Sequence, residues 1–352
     1  MAVITEQPLV EFSSQLLQAA AVPKASADRV AQSLVGANLR GYDSHGVMRL
    51  PYYIQAIRAG EVDPNAGLTV LHETPAALVC DGGWGLGQVL CHELLNRLAD
   101  RAKSLGIAAG AVRRAAHVGR LGEYAEAAAE RGLLTMMLCN TNGSGQRVAP
   151  VGGLRGRLGT NPLCIGVPGG KEGPFILDFG TSATAEGKVR VKKIAGEQVP
   201  PGWLLDANGE PTTDPNSLYA SPAGSILPMG GDQAYKGFGL AFMIELLAGG
   251  LSGGQCAFPG APPAKGNCVL LIVIDPQLFA GTEHLLKEVT QLEQFVRETP
   301  RKPGVDRLTL PGDPERFTLQ SKQQAGIVLD ANNWSALVTL AQEFQIPVPA
   351  VS

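Results

Sequence analysis

Apolar residues recur at helical spacing twice near the start of the chain. Leu9, Phe12, Leu16 and Leu17 share one face of residues 8–20, and Val30, Leu34, Val35 and Leu39 share one face of 24–40, with Pro23 between them. The pattern predicts a helical opening. After Val62-Asp63-Pro64-Asn65 the texture changes. Leu78-Val79-Cys80 before Asp81-Gly82-Gly83 reads as a strand ending in a turn, and Gln88 to Leu105 as a helix stopped by Gly106. Strands at 107–112 and 133–138 flank a helix at 121–130, and further strands are expected at 163–167, 175–179 and 268–274. Helices are expected near 237–249, 281–297 and 332–344. From Val199 to Met229 turn residues follow in series, through Pro200-Pro201-Gly202, Asp206-Ala207-Asn208-Gly209 and Thr213-Asp214-Pro215, which reads as one long loop. No repeat of fixed period interrupts this alternation.

Composition narrows the class. A chain of 352 residues with 45% hydrophobic and 17% charged residues buries a sizeable core. The 44 glycines and 25 prolines follow no collagen period and so mark tight turns and close backbone approaches. A net charge of -3 gives no electrostatic footprint for nucleic acid. The longest apolar stretch, Gly237 to Leu251, is broken by Glu245 and Gly249-Gly250 and falls short of the roughly 20 residues that span a bilayer, so no membrane anchor is expected. Six scattered cysteines without a C-x-x-C pair, and no secretory segment at the start, point to a reduced, cytoplasmic protein.

The candidate chemistry lies in short motifs. Gly83-Trp84-Gly85-Leu86-Gly87-Gln88 lacks the third glycine of the dinucleotide fingerprint, Gly237-Phe238-Gly239-Leu240-Ala241-Phe242 fails likewise, and no Walker A string occurs. A standard dinucleotide fold is therefore not expected. In Asp43-Ser44-His45-Gly46 an imidazole stands on a turn, with Arg49 four residues on. If the turn runs on as helix, both side chains share a face, where an imidazole can pass a proton and a guanidinium can grip a carboxylate. A His-Gly turn serves structure as readily. His117-Val118-Gly119-Arg120 opens a helix and suits either an anionic ligand or close packing. Asp178 ends an apolar strand before Phe179-Gly180-Thr181-Ser182, either paired with a group such as an imidazole or simply forming a turn. The five histidines include no H-E-x-x-H, no G-x-S-x-G occurs, and neither a metal site nor a serine hydrolase is expected.

Taken together, Asp43-Ser44-His45-Gly46, His117-Val118-Gly119, Gly159-Thr160-Asn161-Pro162, Asp178-Phe179-Gly180-Thr181-Ser182, Gly202-Trp203 through Thr212-Thr213-Asp214-Pro215 and Lys236-Gly237-Phe238-Gly239-Leu240 resemble, in order, the malate/L-lactate dehydrogenase family of the non-Rossmann type. The resemblance runs from about residue 8 to about residue 345. That family also holds ureidoglycolate dehydrogenase, diketogulonate reductase, sulfolactate dehydrogenase and the piperideine- and pyrroline-2-carboxylate reductases.

The resemblance implies an α+β fold, with a helical domain from both chain ends (1–75 with 307–352) and a central domain (76–306) on a mainly antiparallel sheet. It implies a homodimeric oxidoreductase using NAD or NADP and acting on a small carboxylate substrate. It makes His45 the acid/base group, with Ser44 and Asp178 completing its proton relay, and places Arg49, Thr160 and His117 at the substrate. His117, Asn161, Asp178, Phe179, Gly180, Thr181, Ser182, Tyr235, Lys236, Gly312, Asp313 and Pro314 would line the cofactor. If NADP is used, the basic run Lys188-Val189-Arg190-Val191-Lys192-Lys193 is a candidate for its 2'-phosphate; otherwise alternate residues of a strand or loop there face solvent. Val118, then Arg120-Leu121-Gly122-Glu123, and Phe179-Gly180 depart from the commoner family pattern, which leaves the substrate open rather than the reaction class. A 2-hydroxy acid/2-oxo acid pair is the expected substrate; a cyclic imino acid is the alternative, and a non-catalytic binding protein of the same fold the remote one.

Overall fold

The computed structural model describes residues 2–262 and 265–351. Seven strands form the central sheet in the spatial order Thr69–Glu73, Ala77–Asp81, Ile107–Ala115, Asn267–Ile274, Leu134–Asn140, Pro162–Val167 and Phe175–Gly180. In this sheet Ala77–Asp81 and Ile107–Ala115 run parallel, and the other neighbours antiparallel. The sheet is therefore mainly antiparallel, as expected, and unlike the parallel sheet of a Rossmann fold.

Strand alternation gives the sheet two apolar faces. Val269, Leu271 and Val273 point to one face, where Leu90, Leu94 and Leu98 of helix Gly87–Leu105 and Tyr124 and Ala125 of helix Gly122–Ala129 cover them. Leu270, Leu138 and Leu163 point to the other, under Ile244 and Ala248. Helix Gly87–Leu105 buries residues 90, 91, 94, 95, 98, 99 and 102, an i, i+3, i+4 stripe, and ends at Gly106 with φ +85.

A second layer is built from both ends of the chain. Strand Ala2–Ile4 pairs antiparallel with Ile327–Leu329. Helices Glu6–Ala19, Lys24–Leu39, Leu50–Arg58 and Ala331–Glu343 share a core with Leu86 and Ala116 from the central part. Strand Thr69–Glu73 belongs to the central sheet.

Three local expectations are corrected. Residues 199–229 are not one loop: Leu204–Leu205, Pro211–Thr212 and Ser225–Ile226 form a three-stranded sheet over a small core of Val148, Val189, Leu204, Leu218 and Ile226. Turn residues crowd there because each strand is two residues long. The basic run lies on helix Glu186–Ala195, with Val189 buried in that core. The helix expected at 237–249 is α-helical over Ala234–Ile244 and then widens to a π-helix over Glu245–Gly250.

Helix Thr282–Arg297 is pinned to helix Asp313–Ala325 through one carboxylate. Asp313 is fully buried and accepts from Arg297 Nη1 (3.0 Å), Arg297 Nη2 (3.2 Å), Arg316 Nη2 (2.6 Å) and the Leu310 amide (2.8 Å). Burial raises its titration, but the two guanidinium groups and the amide outweigh that and hold it below the usual carboxylate range. Without Arg297, Asp313 keeps Arg316 and the Leu310 amide, but the buried Glu293 carboxylate, which accepts from Arg297 Nε at 2.9 Å, loses its cation. Arg297→Met should therefore cost about 3–5 kcal/mol of unfolding free energy, read by urea denaturation at pH 7. Because the folded-state titration is depressed, the stabilisation is present above the ordinary Asp range and is lost as pH falls through the native one, so the gap between wild type and Arg297→Met should shrink on acidification.

Candidate active site

The terminal layer meets the sheet at the turn after helix Lys24–Leu39. Residues 43–49 do not continue as one helix: two 3-10 turns, Asp43–His45 and Val47–Arg49, are separated by extended Gly46. A Cβ at Gly46 would lie 2.2 Å from Asn38 Oδ1, so glycine lets the loop close against the preceding helix. Asn38 fastens both sides of this loop, accepting from the Val47 amide (2.8 Å) and donating to Asp43 (2.7 Å). Ser44 Oγ lies 3.0 Å from His45 Nδ1, and Arg49 Nε donates to the Ser44 carbonyl at 2.7 Å. Imidazole and guanidinium are thus held together by the loop rather than by helical spacing.

His117 faces His45, with ring centroids 5.3 Å apart. Its Nδ1 is 2.7 Å from Tyr53 Oη, which in turn accepts from Gln88 Nε2 at 2.9 Å. His117, Tyr53 and Gln88 thus form one hydrogen-bonded chain. Gln88, the residue that breaks the fingerprint glycine pattern, is fully buried to hold this chain.

Electrostatics separate the groups. Burial, then the charges of Arg49 and Arg120, lowers His45 to about 4. Burial, then Arg49 and His45, pushes His117 well down. Both imidazoles are neutral at pH 7. Asp178 is raised to about 6 by burial, against the opposing pull of Arg120 and of the Gly122 amide, which donates to its Oδ2 at 2.7 Å. Tyr42, next to the Ser44–His45 turn, donates to Glu315 Oε1 (2.9 Å) and lies 3.4 Å from the Asp178 carbonyl, joining helix Asp313–Ala325 to the site.

The Thr160–Asn161 turn is locked from below. Asn161 has φ +29 and donates from Nδ2 to Glu245 Oε1 (2.8 Å) and the Ala241 carbonyl (3.0 Å). Thr181 bonds the Thr160 carbonyl through its amide (2.9 Å) and hydroxyl (3.1 Å). Glu245, buried on the π-helix, also accepts from Asn140 (2.8 Å) and the Ala257 amide (3.1 Å). Ser182 bridges Pro228, and Gly237 packs on Met229, which brings the Asp178–Ser182 segment beside the start of the helix carrying Tyr235 and Lys236. Gly187 on the basic helix lies against Ser44, a Cβ there falling 3.4 Å from Ser44 Cβ.

The structure therefore brings Ser44, His45, Arg49 and His117 together, and sets Asp178 to Ser182 beside Thr160 and Asn161. The Asp178 carboxylate bonds Gly122, whereas the Ser44 hydroxyl bonds His45. Gly312, with φ +90, packs on the start of strand Phe175–Gly180. The Asp313 side chain is committed to Arg297 and Arg316. Tyr53, Gln88, Tyr42 and Glu245 complete the site without having been expected there from sequence, and Arg120 joins them from the motif that follows His117.

The family model for malate/L-lactate dehydrogenase matches residues 4–338. Hydroxycarboxylate dehydrogenase B of Escherichia coli O157:H7 is 36% identical over 97% of this chain and 94% of its own length. A malate dehydrogenase from Entamoeba histolytica superposes with a TM-score of 0.90 at 26% identity, covering 99% of both chains. A delta1-piperideine-2-carboxylate reductase from Pseudomonas syringae superposes with a TM-score of 0.83 at 31% identity, covering 97% of this chain and all of that one.

Proposed function

Because the chain belongs to the malate/L-lactate dehydrogenase family, it is an oxidoreductase, and we propose that it interconverts a 2-oxo acid and its 2-hydroxy acid at the His45 site with NAD or NADP. The carrying observation is the Ser44-His45-Arg49 loop, which sets a proton-transfer group beside a carboxylate fork facing a second imidazole. Arg49 binds the substrate carboxylate, with Thr160 and His117 lining the same pocket. His45 gives a proton to the carbonyl oxygen during reduction and takes it back during oxidation. Ser44 and Asp178 extend that proton path.

The cofactor fits the residues present. Among the described residues, Asn161 Oδ1 and Thr184 Oγ1 are buried without hydrogen-bond partners beside the Asp178–Ser182 segment, and Lys236 stands exposed next to it, a mix of open polar atoms and cation that suits a polar dinucleotide. A bound nicotinamide cofactor supplies or takes up the hydride. Asn161, Asp178 to Ser182, Tyr235, Lys236 and the Gly312-Asp313-Pro314 backbone would hold it, with His117 at its reactive end. On the basic helix, Lys192 pairs with Glu197 and Lys193 lies over the Tyr219 ring, which leaves the exposed Lys188 and Arg190 as the groups for a 2'-phosphate. If NADP is preferred, Arg190→Ala should lower the kcat/KM ratio of NADPH over NADH about tenfold, an unchanged ratio placing the phosphate elsewhere.

The reading includes a homodimer in the cytoplasm, with residues 1–75, apart from the sheet strand Thr69–Glu73, and 307–352 acting as one domain against the central part. Phe242, Met243, Leu246 and Leu251 expose about half of their surface along one helical stretch, an apolar strip suited to a second copy. Sedimentation at assay concentration should give twice the monomer mass.

His45 is neutral in the free site at pH 7. A carboxylate on Arg49 offsets the cation that depresses it, so ligand binding should raise its affinity for a proton. In the reductive direction kcat should then hold to higher pH than kcat/KM, because kcat/KM reports the free site and kcat the complex. Superimposable limbs would contradict this. The substrate test is a panel of 2-oxo acids and cyclic imino acids, each with NADH and NADPH, followed by nicotinamide absorbance. Turnover of 2-oxo acids supports the main reading, and turnover of imines alone supports the reading suggested by the reductase likeness.

A further inference from the structure

Arg120 is the one arginine in the described residues whose side chain is almost wholly enclosed beside the site, at 2% exposure. Its Nη2 bonds Glu126 Oε2 at 2.6 Å, and Glu126 continues to Arg40 Nε at 3.0 Å. Its Nε and Nη1 have no hydrogen-bond partner among the described residues. That open edge lies on Gly122, whose amide donates to Asp178 Oδ2. A Cβ on Gly122 would fall 2.2 Å from Arg120 Nη1 and 3.2 Å from Asp178 Oδ2, so guanidinium, glycine and carboxylate occupy one tightly packed layer in which only glycine fits. The guanidinium carbon lies 5.8 Å from the centre of the Tyr42 ring.

From this packing we infer that Arg120 is a positioning residue that holds Asp178 as a carboxylate anion at the edge of the His45 loop. The inference rests on the proposed role of Asp178 in the proton path. The other charged and titratable groups around Asp178 are Glu315 and Glu126, which oppose its ionisation, and the Tyr42, Cys164 and Cys139 side chains, which are neutral at pH 7. Arg120 is the cation that opposes burial and two acidic neighbours, and its removal leaves the enclosed Asp178 carboxylate with the Gly122 amide as its remaining donor. Its charge also reaches His45.

The test compares pH profiles of kcat for wild type, Arg120→Met, Arg120→Lys and Gly122→Ala with one 2-oxo acid. Arg120→Met should move the acid limb up by about one pH unit or more, the size of shift that an opposite charge at this range produces. Arg120→Lys should restore most of the profile by keeping the charge. Gly122→Ala, which forces the guanidinium away, should reproduce the Met shift in part, and it carries the test if Arg120→Met does not fold. KM for the acid should stay within about threefold, since Arg49 is untouched. A second readout needs no turnover: infrared spectra at pH 7 should show a protonated carboxyl band in Arg120→Met that is absent from wild type and from the Arg120→Met/Asp178→Asn double variant. Unshifted limbs in both Met and Ala variants, or no such band, overturn the inference. A wild type inactive on every 2-oxo acid overturns the proposed function instead, and the infrared comparison still decides the role of Arg120.

Discussion

His45→Gln is expected to lower kcat for 2-oxo acid reduction by at least about 100-fold, with cofactor and substrate binding near the wild-type level. Gln keeps a polar amide near Ser44 Oγ but cannot deliver a proton to a forming alkoxide. The neighbouring His117 does not replace it, because its Nδ1 is tied to Tyr53 and burial pushes its titration well down. The loss should fall on kcat rather than on KM, since Arg49 keeps its bond to the Ser44 carbonyl and its place at the site. Stopped-flow traces in saturating substrate read this directly. A variant with near-normal kcat would remove His45 from proton transfer.

Arg49→Lys is the second large effect. An ammonium keeps the charge but not the two-pronged donor geometry that grips a carboxylate, nor the Nε bond that fixes the Ser44 turn. The expected fall in kcat/KM is about 100-fold, roughly the 3 kcal/mol that a charge-assisted pair contributes. Comparison of a 2-oxo acid with its amide separates the clamp from general damage: Arg49→Ala should depress the acid much more than the amide, which carries no charge to lose. An equal fall on both would mean that Arg49 supports the loop and does not bind substrate.

Much of this site was legible in sequence because its motifs are short, contiguous and rich in residues with one chemical use. Ser44, His45 and Arg49 lie within six residues, and the loop that joins them is fixed by Gly46. The reason for their proximity was not legible: a helix running on from the turn was one way to join them, and a pair of 3-10 turns held by Asn38 is what does so. Gln88 appears in sequence only as a broken glycine pattern, since its partners, Tyr53 and through it His117, are 35 and 29 residues away. Glu245 interrupts an apolar helix and reads as a bar to membrane insertion. In the fold it clamps Asn140 and Asn161, residues more than 80 positions distant, and no local pattern signals that contact.

The same limit governs the architecture. Amphipathic stripes and alternating strands announce themselves locally, and the helices at 8–20, 24–40 and 88–105 fall within two residues of where they are found. Strand Ala2–Ile4 is three residues long and exists only through its pairing with Ile327–Leu329 at the far end of the chain. The short strands within 199–229 are likewise made by pairing and by burial of Leu204 and Ile226, so turn chemistry dominates their sequence. The basic run reads as alternating charge, yet Val189 faces a core and the register is helical.

Hydride transfer to the carbon beside the substrate carboxylate is most directly tested with cofactor deuterated at the transferring position of the nicotinamide ring. The wild-type enzyme is incubated with that cofactor and a 2-oxo acid, and the product is examined by proton NMR and mass spectrometry. A 2-hydroxy acid carrying one deuterium at C2 is expected, formed in equal amount to the cofactor oxidised. Product with hydrogen at C2, or cofactor oxidised without any hydroxy acid formed, would contradict it.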